Sequence, residues 1–310
     1  MIIDVHTHLF ESAGVFPGMW LQGIYNFKRT FMSNEEVEAF KVAFQQSGRV
    51  EALIVDMDEA GIDKSVALAL DFAIMCRQEP EISIWKANEY IAEAQSRYPD
   101  RIIGFAGVDP LRGQEAVRLL EKAVGEWGLK GVKVIQSFYK VTDPEVQAFF
   151  AKLNELNVPA LIHTGSDPWP FAIENGNPAG LDTLAQWYPD LTMIAAHCSR
   201  GYGELLGEIL TFREGQVFAD IAGLQYEAMK SPWHFQLQMR YLMDKVPRSI
   251  LMGTDWPFIK TPPMLTHREW FDAIRNLSLP NALVESGVKD FSAQEKALIL
   301  GGNAQRLLGL

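Results

Sequence analysis

Short, almost wholly apolar runs alternate along this chain with longer amphipathic stretches. The first run, Ile2-Ile3-Asp4-Val5-His6-Thr7-His8, ends in two histidines one residue apart. Further runs lie at Lys64 to Leu70, Ile102 to Val108, Gly131 to Ile135, Pro159 to Ile162, Leu191 to Ala196, Gln216 to Asp220 and Ile250 to Met252. Compact runs without clear alternation suit strands buried on both faces, as in a parallel sheet. The intervening sequence predicts helices. One opens at Ser33-Asn34-Glu35-Glu36 with Ser33 or Asn34 as N-cap, and Val50 to Ala60 stops at Gly61. Others cover Ser83 to Tyr98, Gln114 to Trp127, a start at Asp143-Pro144-Glu145, Leu181 to Trp187, Gly203 to Phe212, Pro232 to Lys245, Arg268 to Leu277 and Ala293 to Leu308. Eight strands, each followed by helical sequence at even spacing, predict one α/β domain over residues 1–310, a closed (β/α)8 TIM barrel. No G-x-G-x-x-G follows the first strand, which argues against an open dinucleotide-binding sheet.

One stretch breaks the rhythm. Leu9 to Ser33 is long and rich in aromatic and turn residues, among them Phe10, Phe16, Trp20, Tyr25, Phe27 and Phe31. A loop of that length in a compact domain is functional or disordered, and its aromatic content argues against disorder. It reads as a flap over the mouth of a site, or as cover for an apolar surface or a subunit contact.

Composition narrows the class. The 310 residues, 48% hydrophobic and 22% charged, suffice for one large core. A net charge of −11 repels phosphate backbones, so nucleic acid is not an expected partner. Two cysteines, Cys76 and Cys198, suggest no disulfide framework and fit a reducing cytoplasm. No secretory leader or membrane-length apolar run is visible.

The polar residues at the strand ends change the picture most. His6 and His8 share one face of an extended strand and would aim both imidazoles at one point. Lys133 lies in the fourth strand, His163 ends the fifth, His197 the sixth, and Asp255 follows the eighth. In a barrel these ends meet on one face, where active sites sit. Four of the six histidines fall there, while His234 and His267 read as bland. Imidazoles with a carboxylate suit zinc or a similar divalent ion with a position left for water. His197 and Asp255 are the candidate proton carriers. Asp220 reads as a group orienting a ligand histidine or as a turn residue. Arg200, Trp169 and Trp256 are candidate substrate contacts or, equally, surface and packing residues. Cys198 receives no role, and Asp109-Pro110 reads as a turn.

This ordered set resembles the amidohydrolase superfamily, and more closely its amidohydrolase-related branch, which also holds nonoxidative decarboxylases. The matching pieces are Asp4-Val5-His6-Thr7-His8, Gly131-Val132-Lys133-Val134, Leu161-Ile162-His163-Thr164, Ala195-Ala196-His197-Cys198, Gly253-Thr254-Asp255-Trp256-Pro257 and the tail Gly301 to Leu308. Each piece is short; their order along the whole chain carries the resemblance. The resemblance implies that His6, His8, His163 and Asp255 hold a metal, most simply one Zn2+, with Mn2+ as the alternative. It makes His197 either a second-metal ligand or a catalytic residue beside the substrate. Lys133 would bridge a second ion if carbamylated; unmodified, it would bind a substrate carboxylate, and this is the favoured expectation.

The leading expectation is a metal-dependent hydrolase of a small amide, lactone or ester. The alternative is a metal-dependent carboxy-lyase acting on a small aromatic or unsaturated acid. A catalytically silent ligand-binding barrel is the reading of another class. The expected partner is a small-molecule substrate, with homo-oligomerisation open.

Overall fold

A computed structural model describes residues 1–136, 139–166, 171–258 and 265–310. Its strands are β1 (Ile3–His8), β2 (Lys64–Leu68), β3 (Ile102–Gly107), β4 (Gly131–Val134), β5 (Ala160–Ile162), β6 (Met193–Ala195), β7 (Val217–Asp220) and β8 (Ile250–Leu251). All neighbouring pairs are parallel and run in sequence order. The ring is nearly closed: the Val5 amide donates to Met252 O (2.9 Å), the Asp255 amide to His6 O (2.8 Å) and the His8 amide to Trp256 O (2.6 Å). Asp4 ties the same seam, accepting from the Thr254 hydroxyl (2.6 Å) and amide (3.1 Å). The (β/α)8 expectation holds.

Side chains at alternate strand positions fill the barrel interior: Ile3, Val5, Val66, Leu68, Ile103, Phe105, Leu161, Ile194, Phe218 and Leu251, closed from below by Ala304, Leu307 and Leu308. The remaining apolar faces pack outward against the helices, as Leu119, Phe149, Phe150, Leu184 and Leu210 illustrate. β1 carries an informative irregularity. Its pairing with β2 slips between Asp4 and Thr7. Strict alternation would set Ile3 and Val5 on one face and His6 and His8 on the other. The slip changes that parity, so apolar filler below and ligand-type residues above both reach the interior.

The helices follow their sequence signals. Ser33 caps α2 (Asn34–Phe44) in a capping box with Glu36, and Gly61 ends α3 (Val50–Ala60) in the left-handed conformation at φ 70°. The expected flap differs from a loop: residues Gly18–Lys28 form a helix, α1. Trp20 of α1 stacks on Phe16 (4.5 Å between centroids) and on Phe72 (4.9 Å). These contacts seat α1 over the barrel mouth by aromatic packing rather than by a side-chain N-cap, which its start lacks. Short helices at Ala73–Cys76, Gln225–Lys230 and Asn281–Glu285 were not foreseen in the sequence. Among the described residues no helix is long and apolar enough to cross a membrane.

Candidate metal centre and active site

The C-terminal ends of β1, β4, β5, β6 and β8 deliver polar side chains to one cavity, and Asp220 of β7 is buried behind it. His6 Nε2 lies 3.2 Å from His8 Nε2, and Asp255 Oδ1 lies 2.9 Å from His8 Nε2 and 3.5 Å from His6 Nε2. Three potential ligand atoms from the first and last strands therefore converge. Their outward sides set the chemistry. His6 Nδ1 is 2.9 Å from Asp220 Oδ2, so the carboxylate holds the ring proton there and leaves the Nε2 lone pair facing inward. Asp220 is itself fixed, its Oδ1 accepting from the amides of His197 (3.0 Å) and Ala222 (2.9 Å). This carboxylate–imidazole pairing behind a converging donor set fits a divalent ion. Asp220 thus has the orienting position anticipated for it.

His197 and Asp255 share a backbone trait. Both are left-handed without being glycine, at φ 59° and 66°, and Cys198 and Ser199 continue that turn. Such conformations cost about 1–3 kcal/mol each and persist where the surroundings enforce them. The His197 turn is enforced by Asp220 on its amide and by Ala222 O, which lies 2.9 Å from Nδ1. With Nδ1–H donated to that carbonyl, Nε2 turns toward the interior, 3.3 Å from His163 Nδ1. His163 lies flat against Phe171, with ring centroids 4.3 Å apart. It stands beside His197, whereas the tight donor groups are His6, His8 and Asp255, and His6, His197 and Asp220.

Electrostatics keep the imidazoles neutral. Burial, reinforced by the Lys133 ammonium, holds His6 and His8 well below the ordinary histidine range. Burial and then neighbouring His197 do the same to His163. Burial lowers His197 to about 3. Neutral imidazoles are the ligating and proton-accepting form. Asp255 is partly exposed toward the cavity, yet burial among the barrel loops raises its carboxyl pKa, as it does for Asp220. Lys133 is buried, with Nζ 3.3 Å from His6 Nε2, so it points into the interior as its alternation with Val132 and Val134 suggested.

The cavity measures about 190 Å3. A cavity of ~150 Å3 accepts benzene, so there is room for one substituted ring. Above the polar floor its walls are aromatic and aliphatic, with Trp20, Phe72, Phe171 and Phe258 prominent. The sequence reading had looked elsewhere for these walls. Trp256 is buried but turned away, its indole N–H donating to Asp56 of α3 (2.6 Å), and Phe258 takes the expected place. Trp169 lies outside the described residues. Arg200 is half-buried behind the floor, where its charge acts on His163 and Asp255 without forming part of the described wall. His267, read as bland, is buried 3.1 Å from the Thr254 hydroxyl and braces the β1–β8 seam. Cys198 is buried with its thiol pKa pushed up by burial, consistent with no reactive role. Lys28 of α1, which no sequence signal singled out, lines the cavity from the mouth.

Comparison with known proteins adds three findings. A family model described as Amidohydrolase matches residues 3–310. A 2-amino-3-carboxymuconate-6-semialdehyde decarboxylase from Dictyostelium discoideum is 23% identical over 250 residues; the match covers 72% of this chain and only 65% of that protein's length. Among solved structures, a Polaromonas dihydroxybenzoic acid decarboxylase with bound manganese and 2-nitroresorcinol superposes with a TM-score of 0.69 at 18% identity, covering 100% of this chain and 97% of its own. A Novosphingobium aromaticivorans 5-carboxyvanillate decarboxylase, holding manganese and 4-hydroxy-3-methoxy-5-nitrobenzoic acid, gives 0.68 at 16% identity over 100% and 96%. These three relatives are decarboxylases, which favours the alternative expectation over the hydrolase one.

Proposed function

We propose that this chain, which belongs to the amidohydrolase family, is a metal-dependent nonoxidative decarboxylase of a small aromatic or unsaturated acid. The observation that carries the proposal is the pairing of a His6–His8–Asp255 donor cluster with a one-ring cavity of aromatic walls. Hydrolysis of an ester or lactone does not call for such walls, whereas a planar acid stacks on them.

In this reading His6, His8 and Asp255 would hold the ion, with His163 as a further candidate ligand lining the same cavity. Manganese is favoured over the zinc expected from the donor types, because two neighbours contain it. An ion held there would supply Lewis acidity toward the substrate's oxygens. Lys133, unmodified, binds a carboxylate oxygen from the floor. His197 is the proton carrier. Its Nδ1–H stays on Ala222 O, and Nε2 takes a proton from solvent. The carbon–carboxylate bond breaks, its electron pair stays on the ring or vinyl carbon, and that carbon takes the proton from Nε2 as carbon dioxide leaves.

The test uses protein reconstituted with Mn2+ and a panel of hydroxybenzoates, followed by proton NMR and carbon dioxide release. Expected are about one metal per chain, carbon dioxide without net water consumption, deuterium at the vacated carbon in heavy water, and loss of both signals of turnover in His197→Asn with metal retained. Hydrolysis of esters or lactones with no carbon dioxide from any acid would overturn the proposal.

A further inference from the structure

The polar floor and aromatic walls account for one end of a substrate. The other end meets α1. Lys28, in the last turn of α1, directs its side chain to the cavity that His6, His8 and Lys133 line from below. A lysine at a helix C-terminus is favoured by the helix dipole wherever it points. That explains the residue type at Lys28 but not the turn of its amine inward.

The amine has rings around it. It lies 5.2 Å from the Phe40 ring centroid and 5.4 Å from that of Phe31, within cation–π range of both. Among the described residues no carboxylate pairs with it. Lys41 of the adjacent α2 behaves differently, bonded to Glu38 at 2.6 Å. Burial alone lowers Lys28 to about 8, a level at which it is still largely protonated near neutrality. A half-desolvated ammonium held by ring faces and facing a cavity is a site prepared for an anion. In a chain of net charge −11, a cation so left is worth noticing. The cavity is thus lined by two cations, Lys133 of β4 and Lys28 of α1, together with apolar side chains that include Trp20 and Phe72.

We propose that Lys28 binds a second anionic group of the substrate, so that the site selects aromatic or unsaturated dicarboxylates over monocarboxylates. This rests on the decarboxylase reading for the chemistry at the floor but not for the binding at the mouth. One carboxylate is lost beside the metal cluster; the other, held by Lys28, remains on the product.

The experiment measures binding of three probes to the manganese-loaded protein by calorimetry: 2-hydroxybenzoate, 2-hydroxyisophthalate and 2-hydroxyterephthalate. A charge-assisted contact of this kind is worth about tenfold or more in affinity. At least one diacid is expected to bind the wild type about tenfold tighter than the monoacid. Lys28→Met should erase most of that preference while keeping the thermal midpoint, and Lys28→Arg should restore it. Equal affinity for all three acids in the wild type, or a Lys28→Met variant that retains the preference, would overturn the inference. A preference that depends on Lys28, in a protein that hydrolyses esters or lactones and releases no carbon dioxide from any acid, would support the inference and sink the decarboxylase reading, so the two failures are distinct.

Discussion

Asp220 allows orientation of a ligand to be separated from support of the fold. Its carboxylate makes three buried contacts, Oδ1 with two backbone amides and Oδ2 with His6 Nδ1. In Asp220→Asn the amide oxygen must stay on the side of the two N–H donors, because a flipped amide would set N–H against N–H. The new NH2 then faces His6 Nδ1. A donor there forces the proton of His6 onto Nε2 and removes the lone pair offered to the metal. Loss of such outer support lowers metal affinity about 10- to 100-fold, or roughly 1.4–2.7 kcal/mol. Asp220→Ala differs: it leaves two buried amides unpaired, at about 1–3 kcal/mol each, and should lose roughly 2–6 kcal/mol of stability. The assay is Mn2+ binding by competition with a chelator, alongside urea unfolding of the metal-free proteins. Asp220→Asn should keep most of its stability and lose metal. A variant that binds Mn2+ as tightly as the wild type would refute the tautomer argument and remove Asp220 from the ligand system.

Asp109 supplies a pH test away from the metal. Burial, then the Asp71 charge, raises its carboxyl to about 7, and its Oδ1 accepts from the Leu111 amide, a contact that Asn retains. A carboxyl raised on folding contributes stability below its unfolded pKa and loses it as pH rises through the folded one. The stability of Asp109→Asn relative to wild type should therefore increase by about 2–3 kcal/mol between pH 5 and pH 8; parallel pH profiles in chemical unfolding would contradict the assignment. Trp20→Ala should cost about 3–5 kcal/mol from lost packing against Phe16 and Phe72 and weaken ligand binding as α1 loosens. An unchanged unfolding midpoint would show that α1 is not held by that stack.

The barrel was legible because its strands are buried on both faces, which leaves compact apolar runs, and because polar residues close those runs at one end. His6, His8, His163, His197, Asp255 and Lys133 were all visible on that basis, and they do meet. α1 was not legible: it begins at Pro17-Gly18 with no capping side chain, contains Gly23, and is held by rings far away in sequence. Lys28 is an ordinary lysine until α1 folds back over the barrel. Trp256 sits next to Asp255, but its side chain follows the outward face to Asp56, 200 residues earlier. The slip in β1 was equally hidden, since it depends on the pairing with β2 rather than on any residue of β1. Long-range partners decide each of these features, and local pattern carries no record of them.

The seam between β1 and β8 has a consequence for how the protein is made. His6 and His8 leave the ribosome well before their carboxylate partner Asp255, which follows 247 residues after His8. A nascent chain therefore offers two imidazoles long before it offers a complete cluster, and the barrel cannot close around them until its last strand exists. On the proposed metal site, capture at full affinity would be a post-synthetic event that reports completion of the ring. Any truncation upstream of Asp255 leaves a chain with histidines and no seam to hold them together.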